Sequence, residues 1–256
     1  MTHSKVRVQP ERDGAVLRLV LDSPPGNVID LEMIEALRAA VAKAGREPGL
    51  KAVIFEGEGK HFSYGASVPE HRPGEIDRVL PRFHDLFRDL FDIARPMLAV
   101  VRGKCLGGGL ELAAFCNWIF VSPDAQLGQP EIRLGVFAPL GSLLLAERVG
   151  RPTAEAMCLT GQVIGADDAL EDGLVDFVAE DPGEAADAWL EQNILPLSAA
   201  ALHYALRAVR LPMRQSFMDG LDELERMYLR ELMRTEDARE GIAAFIDKRP
   251  PAWKNR

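Results

Sequence analysis

The chain has 256 residues, 47% hydrophobic and 27% charged, enough apolar material to bury a full core as one domain of moderate size with a small extension. Its formal net charge of −9 argues against nucleic acid or an anionic membrane as a general partner. With no secretory leader at its start and no apolar run of membrane-spanning length, the expected location is the cytoplasm. Residues 15–21 are aliphatic and β-branched and read as a strand, which the turn formers of 22–27 end. Asp30 can cap a helix whose apolar residues Leu31, Ile34, Leu37 and Val41 recur at helical spacing as far as Gly45. Residues 52–55 predict a short buried strand. Ile76, Val79, Leu80, Phe83, Leu86, Phe87 and Leu90 then mark an amphipathic helix. Strands are predicted over 97–101, 118–121 and 174–178, and from Pro182 onward the pattern is helical, with Phe217, Leu221, Leu224 and Tyr228 on one stripe. Strands separated by helices imply an α/β core with crossover connections. The terminal stripe could pack on its own domain or against another subunit.

Three adjacent glycines, Gly107, Gly108 and Gly109, precede the apolar run that begins Leu110-Glu111-Leu112. Glycines there weaken a helix, so their use is a turn where backbone approaches something closely. A helix starting at that turn aims free N–H groups, and the positive end of its dipole, at whatever lies above it. That arrangement suits a carbonyl oxygen that gains negative charge during a reaction. Glu111 falls in the first turn of this helix. Glu131, after a Gln-Pro turn, supplies a second carboxyl group that could face the first. Two carboxyls beside an oxyanion site can handle protons on both sides of a carbon–carbon double bond. Read alone, each feature has a plainer account: a loop, a helix-dipole charge, a surface carboxylate. Gly65-Ala66-Ser67 does not form a nucleophile elbow. Cys105, Cys116 and Cys158 lack metal or redox spacing and are expected to be reduced thiols. His61, His71, His84 and His203 show no zinc pattern, so no metal is expected.

Residues 101–113 and 126–131 resemble the signature of the enoyl-CoA hydratase/isomerase superfamily, the crotonases. Residues 61–67, 159–176 and 245–250 are similar to further segments of that family, in the same order and spacing. The resemblance implies an α/β crotonase fold, a ClpP-like spiral of ββα units with a C-terminal helical trimerisation region, divided as residues 1–195 and 196–256. It implies an acyl-CoA thioester as partner and substrate, with coenzyme A as part of that substrate and no separate cofactor. The thioester oxygen would lie between the N–H groups of Ala66 and Gly108, and Glu111 and Glu131 would hold one water between them. Phe245, Lys248 and Arg249 would touch the nucleotide end of coenzyme A, with Arg18, Lys60 or Lys104 as the other basic candidates. A homotrimer or a dimer of trimers is expected, with the stripe from Phe217 to Tyr228 as a contact.

Two departures from linear enoyl-CoA hydratases bear on the substrate. Ser67 stands where they tend to have Asp, and an apolar loop containing Phe137, Pro139 and Leu140 replaces a polar one near Glu131. Such a wall suits a compact carbocycle better than an extended chain, and Tyr64 and Ser67 are expected to bind the substrate with it. These segments resemble the cyclohexa-1,5-diene-1-carbonyl-CoA hydratases of anaerobic aromatic degradation. The alternatives are a general short-chain enoyl-CoA hydratase, a thioester hydrolase of the same fold, and a non-catalytic binding protein.

Overall fold

The computed structural model describes residues 4–256. Val6–Glu11 (β1) runs antiparallel to Val16–Leu21 (β2), a hairpin that the sequence pattern showed only in its second half. Asp30 caps helix Leu31–Ala44 (α1) as expected, its carboxylate accepting from the Met33 N–H at 3.0 Å. Ala52–Gly57 (β3) and helix Ile76–Ile93 (α2) follow, then Met97–Val101 (β4), Lys104–Leu106 (β5) and the glycine-led helix Gly108–Phe115 (α3). Next come Trp118–Val121 (β6), Gln126–Gly128 (β7), helix Pro139–Thr160 (α4), Val163–Gly165 (β8), helix Ala166–Glu171 (α5) and Phe177–Val178 (β9). Helices Pro182–Asn193 (α6), Ala199–Arg230 (α7) and Glu236–Ile246 (α8) complete the chain.

Two sheets organise these elements. The larger has the order β1-β2-β3-β4-β6-β9, parallel from β2 onward, and the smaller the order β5-β7-β8. The two turns that begin with β4 and β6 each give one strand to the large sheet, one short strand to the small sheet, and then a helix. The earlier turns do the same with single bridges, Ile29 to Ala66 and Ser63 to Cys105. The result is a spiral in which each turn stacks on the next through backbone hydrogen bonds. One face of the large sheet carries the main core with α1, α2 and α3. The other is covered by α6, whose Ala186 and Leu190 pack on Ile54, Leu98, Val100 and Phe120.

Two expectations change. The predicted strand over 174–178 is β9 alone, because Leu174 and Val175 turn into the core and Asp176 bonds through its side chain to the Ile119 N–H at 2.7 Å. The stripe from Phe217 to Tyr228 is not a free contact surface. Phe217 and Leu221 join the main core, and Tyr228 is buried with Val136 and Ile242. The most exposed apolar residues of α7 are Tyr204, Val209 and Leu211, on its first half, with Met227 less exposed near its end.

A column of aromatic rings ties α2, α3 and α7 together. Phe115 meets Phe87, Phe91 and Phe217 at centroid separations of 5.4, 5.1 and 6.3 Å. Buried edge-on pairs of this kind add to area burial, and loss of a buried phenyl ring leaves a cavity costing about 3–5 kcal/mol. Phe115→Ala should therefore lower the unfolding free energy by about that amount in denaturant titrations; a loss below about 1 kcal/mol would mean the column does not hold α3 in place.

Candidate active site

The stacked turns bring the predicted site residues together. Ser63 N donates to Lys104 O at 3.1 Å and Leu106 N to Ser63 O at 3.0 Å, so residues 63–66 run beside β5 and the glycine turn. Ile29 N donates to Gly65 O and Ser67 N to Ile29 O, which fixes the other side. The fully buried Asn27 amide donates to the carbonyls of Glu58, His61 and Phe62 and holds the approach to this segment. Gly107 N donates to Gly128 O at 2.9 Å, linking the glycine turn to β7 and so to Glu131.

The glycines are explained by contacts. Gly107 has φ +51°, and a methyl group on it would lie 2.5 Å from Glu131 Oε1. Gly109 has no room because Ser63 Cβ would be 2.6 Å away. A methyl on Gly108 would be 3.4 Å from the Ala66 nitrogen, so the two backbone N–H groups are neighbours. Neither has a hydrogen-bond acceptor among the described residues. For Gly108 the reason is that the first N–H groups of a helix have no partner within it.

Glu111 is buried on α3, and its Oε1 accepts from Gly141 N at 2.7 Å. That donor corrects one expectation. Residues 139–143 are not a loop but the first turn of α4, with Pro139 at its start, and they aim backbone N–H groups at Glu111. Pro139 and Leu140 are buried there, behind the carboxylate rather than on a cavity wall. Proline at a first helical position and the spacing of Leu140, Leu144 and Leu145 were signs of this in the sequence. Glu131 sits in a short 3₁₀ turn, Pro130–Leu134. Its Oε1 accepts from Gln129 Nε2 at 3.2 Å, while its shielded Oε2 has no partner among the described residues.

Burial raises both carboxyl groups above the usual carboxylate range. Glu111 is pulled back by N–H donors from Gly141 and Leu140, whereas Glu131 is raised further by the charge of Glu111. Backbone donors favour an ionised carboxylate and a like charge disfavours one. These surroundings favour a shared proton on Glu131 over one on Glu111.

A cavity of about 440 Å³, within the usual size for a ligand site, is lined by Glu131, while Glu111 and Gly108 lie just outside its lining. Tyr64, Ala66, Leu106, Glu131, Val136 and Phe245 are among its lining residues. Ser67 and Phe137 lie outside the lining; Phe137 packs instead on Tyr228 at 5.4 Å. His71, Leu134 and the α8 residues Gly241 and Ala244, which the sequence pattern did not single out, complete the wall. Gly241 is needed because a methyl there would lie 2.1 Å from Leu134 O. The cations on this cavity are Lys104, 5.4 Å from the Tyr64 ring centroid, and Arg133. Lys248 lies outside the lining, Arg249 is forked onto Glu240, and Arg18 is held by Glu11, Glu56 and Asp187. No group of metal-ligating residues occurs among the described residues, and no described helix is long and apolar enough to cross a membrane.

The sequence matches the family model described as enoyl-CoA hydratase/isomerase over residues 11–256. The chain belongs to that family. It is 46% identical to cyclohexa-1,5-dienecarbonyl-CoA hydratase of Thauera aromatica over 253 residues, covering 99% of this chain and 98% of that protein. Among solved structures, carnitinyl-CoA hydratase from Mycobacterium avium superposes with a TM-score of 0.84 at 30% identity, each chain fully covered. An enoyl-CoA hydratase from Mycobacterium avium subsp. paratuberculosis gives a TM-score of 0.86 at 25% identity, covering 98% of this chain and 99% of that one. The fold is therefore the α/β crotonase fold, and the protein is an enzyme of the enoyl-CoA hydratase type, a hydro-lyase.

The raised carboxyls carry a stability consequence. Above the ordinary carboxylate range the unfolded chain releases the Glu131 proton before the folded chain does, so stability falls as pH rises toward the folded value and then levels off. Glu131→Gln removes this penalty. Its melting temperature should match that of the parent near about pH 4 and exceed it near about pH 8, each unit of pKa elevation being worth about 1.4 kcal/mol; equal melting temperatures at both pH values would show that Glu131 is not raised.

Proposed function

We propose that this enzyme adds water to cyclohexa-1,5-diene-1-carbonyl-CoA, giving 6-hydroxycyclohex-1-ene-1-carbonyl-CoA, in anaerobic aromatic degradation. The observation that carries the reading is the full-length 46% identity to the Thauera aromatica hydratase of that substrate. The site's geometry supports it. The N–H groups of Ala66 and Gly108 are the donors for the thioester oxygen, and they favour the enolate in which negative charge moves onto it. Ionised Glu111 takes a proton from the water whose oxygen adds to the ring carbon β to the thioester carbonyl. The electron pair of that double bond moves onto the carbonyl oxygen. Protonated Glu131 then delivers its proton to the far end of the second ring double bond, the dienolate collapses to leave the remaining double bond conjugated to the thioester, and proton exchange resets the pair. The ring occupies the apolar end of the cavity beside Val136 and Leu134, and the nucleotide end of the thioester leaves past Phe245, Lys104 and Arg133.

A panel of cyclic and linear enoyl-CoA thioesters, with chromatographic detection of products, tests the reading. The cyclic dienoyl-CoA should be hydrated with a kcat/KM at least about tenfold above that for crotonyl-CoA, a preference of about 1.4 kcal/mol. Glu111→Gln and Glu131→Gln should each lower kcat by about two to four orders of magnitude. Preference for crotonyl-CoA would make the enzyme a general short-chain hydratase, and release of free coenzyme A would make it a thioester hydrolase.

The association as a trimer or dimer of trimers is a second inference, resting on the family resemblance. Since Phe217, Leu221 and Tyr228 are turned inward, the contact is assigned to the first half of α7, where Tyr204, Val209 and Leu211 are exposed. Light scattering at micromolar concentration should give a mass of three or six chains; a monomeric mass would remove the inference.

A further inference from the structure

Tyr228 is 1% exposed near the end of α7, and its hydroxyl has no hydrogen-bond partner among the described residues. A buried tyrosine normally satisfies its hydroxyl, and one that does not loses stability. It is not itself part of the cavity lining but lies directly behind it. The ring packs edge-on against His71 at 6.4 Å and shares a cluster with Val136, and both of these line the cavity. Two other shielded atoms in the site also lack partners: Glu131 Oε2 and Gln129 Oε1. Both are hydrogen-bond acceptors if Glu131 is ionised, and Glu131 Oε2 is a donor if it is protonated. Tyr228 adds an O–H group that can turn toward either state. Burial, together with the nearby carboxyl pair, holds the phenol's pKa above its ordinary value, so it keeps its proton.

We propose that Tyr228 is a third polar group of the reaction site, its hydroxyl donating a hydrogen bond to the oxygen being added, first as water and then as the new ring hydroxyl. The proposal rests on the hydratase reading. No proton leaves Tyr228: the water O–H bond breaks toward Glu111, the ring carbon–oxygen bond forms, and Glu131 protonates carbon. Tyr228 restricts the orientation of the oxygen as its lone pair attacks the ring. Gln129 Oε1 accepts from the same network, so the water's remaining proton also has a partner.

Tyr228→Phe removes only the hydroxyl, and three readouts separate this role from a packing role. Thermal melting should stay equal to the parent or rise, because no partner is lost and an unpaired buried hydroxyl is removed. Hydration of the cyclic dienoyl-CoA should lose about tenfold in kcat with KM within about twofold, the pattern of an interaction tightest in the transition state. Dehydration of the hydroxylated product should slow by the same factor, since one hydroxyl holds the oxygen in both directions. The parent enzyme is assayed alongside. A parent that hydrates no enoyl-CoA overturns the hydratase reading itself. A competent parent with an unchanged kcat in Tyr228→Phe overturns the proposal alone, as does a lowered melting temperature, which would make the hydroxyl structural.

Discussion

Backbone pairing between successive turns of the spiral is the constraint on which the site depends. The bonds from Ser63 to Lys104, from Leu106 to Ser63 and from Gly107 to Gly128 set three chain segments side by side. Gly107 N is used in this pairing, Ser67 N in the bond to Ile29 and Gly65 N in one to Ser63 Oγ, while the Ala66 and Gly108 N–H groups between them have no partner among the described residues. In the proposed role these main-chain donors, fixed by the sheets, would need no reorganisation as charge develops on a bound carbonyl oxygen. The price is steric. Gly107 and Gly109 stand where any side chain would strike Glu131 or Ser63.

The second constraint is electrostatic. Two carboxyl groups share a shielded region, and burial together with mutual repulsion disfavours charge on both. The protein resolves this asymmetrically. The first turn of α4 offers N–H groups to Glu111, while Glu131, held by its own backbone N–H and the Gln129 amide, also feels the charge of Glu111. A carboxylate and a carboxylic acid side by side form the pair that an addition of water across a double bond requires, one to accept a proton and one to supply it. Glu131 Oε2, Gln129 Oε1 and the Tyr228 hydroxyl are shielded and have no protein partner among the described residues, and buried groups of that kind call for an explanation.

Much of this was readable in the sequence where the signal is local. Asp30 as a cap, the stripe of α2 and the glycine turn before Glu111 each depend on residues within a few positions of one another. The smaller sheet was not readable, because strands of three residues such as β5, β7 and β8 have too few alternations to form a pattern. The loop expected around Pro139 is a helix start, since proline is compatible with both and the deciding partner, Glu111, is distant in sequence. Tyr228 had the spacing of a core residue and is buried as one. Nothing in the stripe distinguishes a tyrosine with a satisfied hydroxyl from one without. Arg249 likewise reads as a free cation until the fold brings Glu240 against it.

The central claim is that the shielded pair holds one proton at neutral pH and that Glu131 carries it. Infrared difference spectroscopy in the carboxylic-acid carbonyl region measures this directly. A protonated-carboxyl band should be present in the unliganded enzyme at neutral pH and absent from Glu131→Gln. A spectrum with no such band, or one that Glu131→Gln leaves unchanged, would contradict the account.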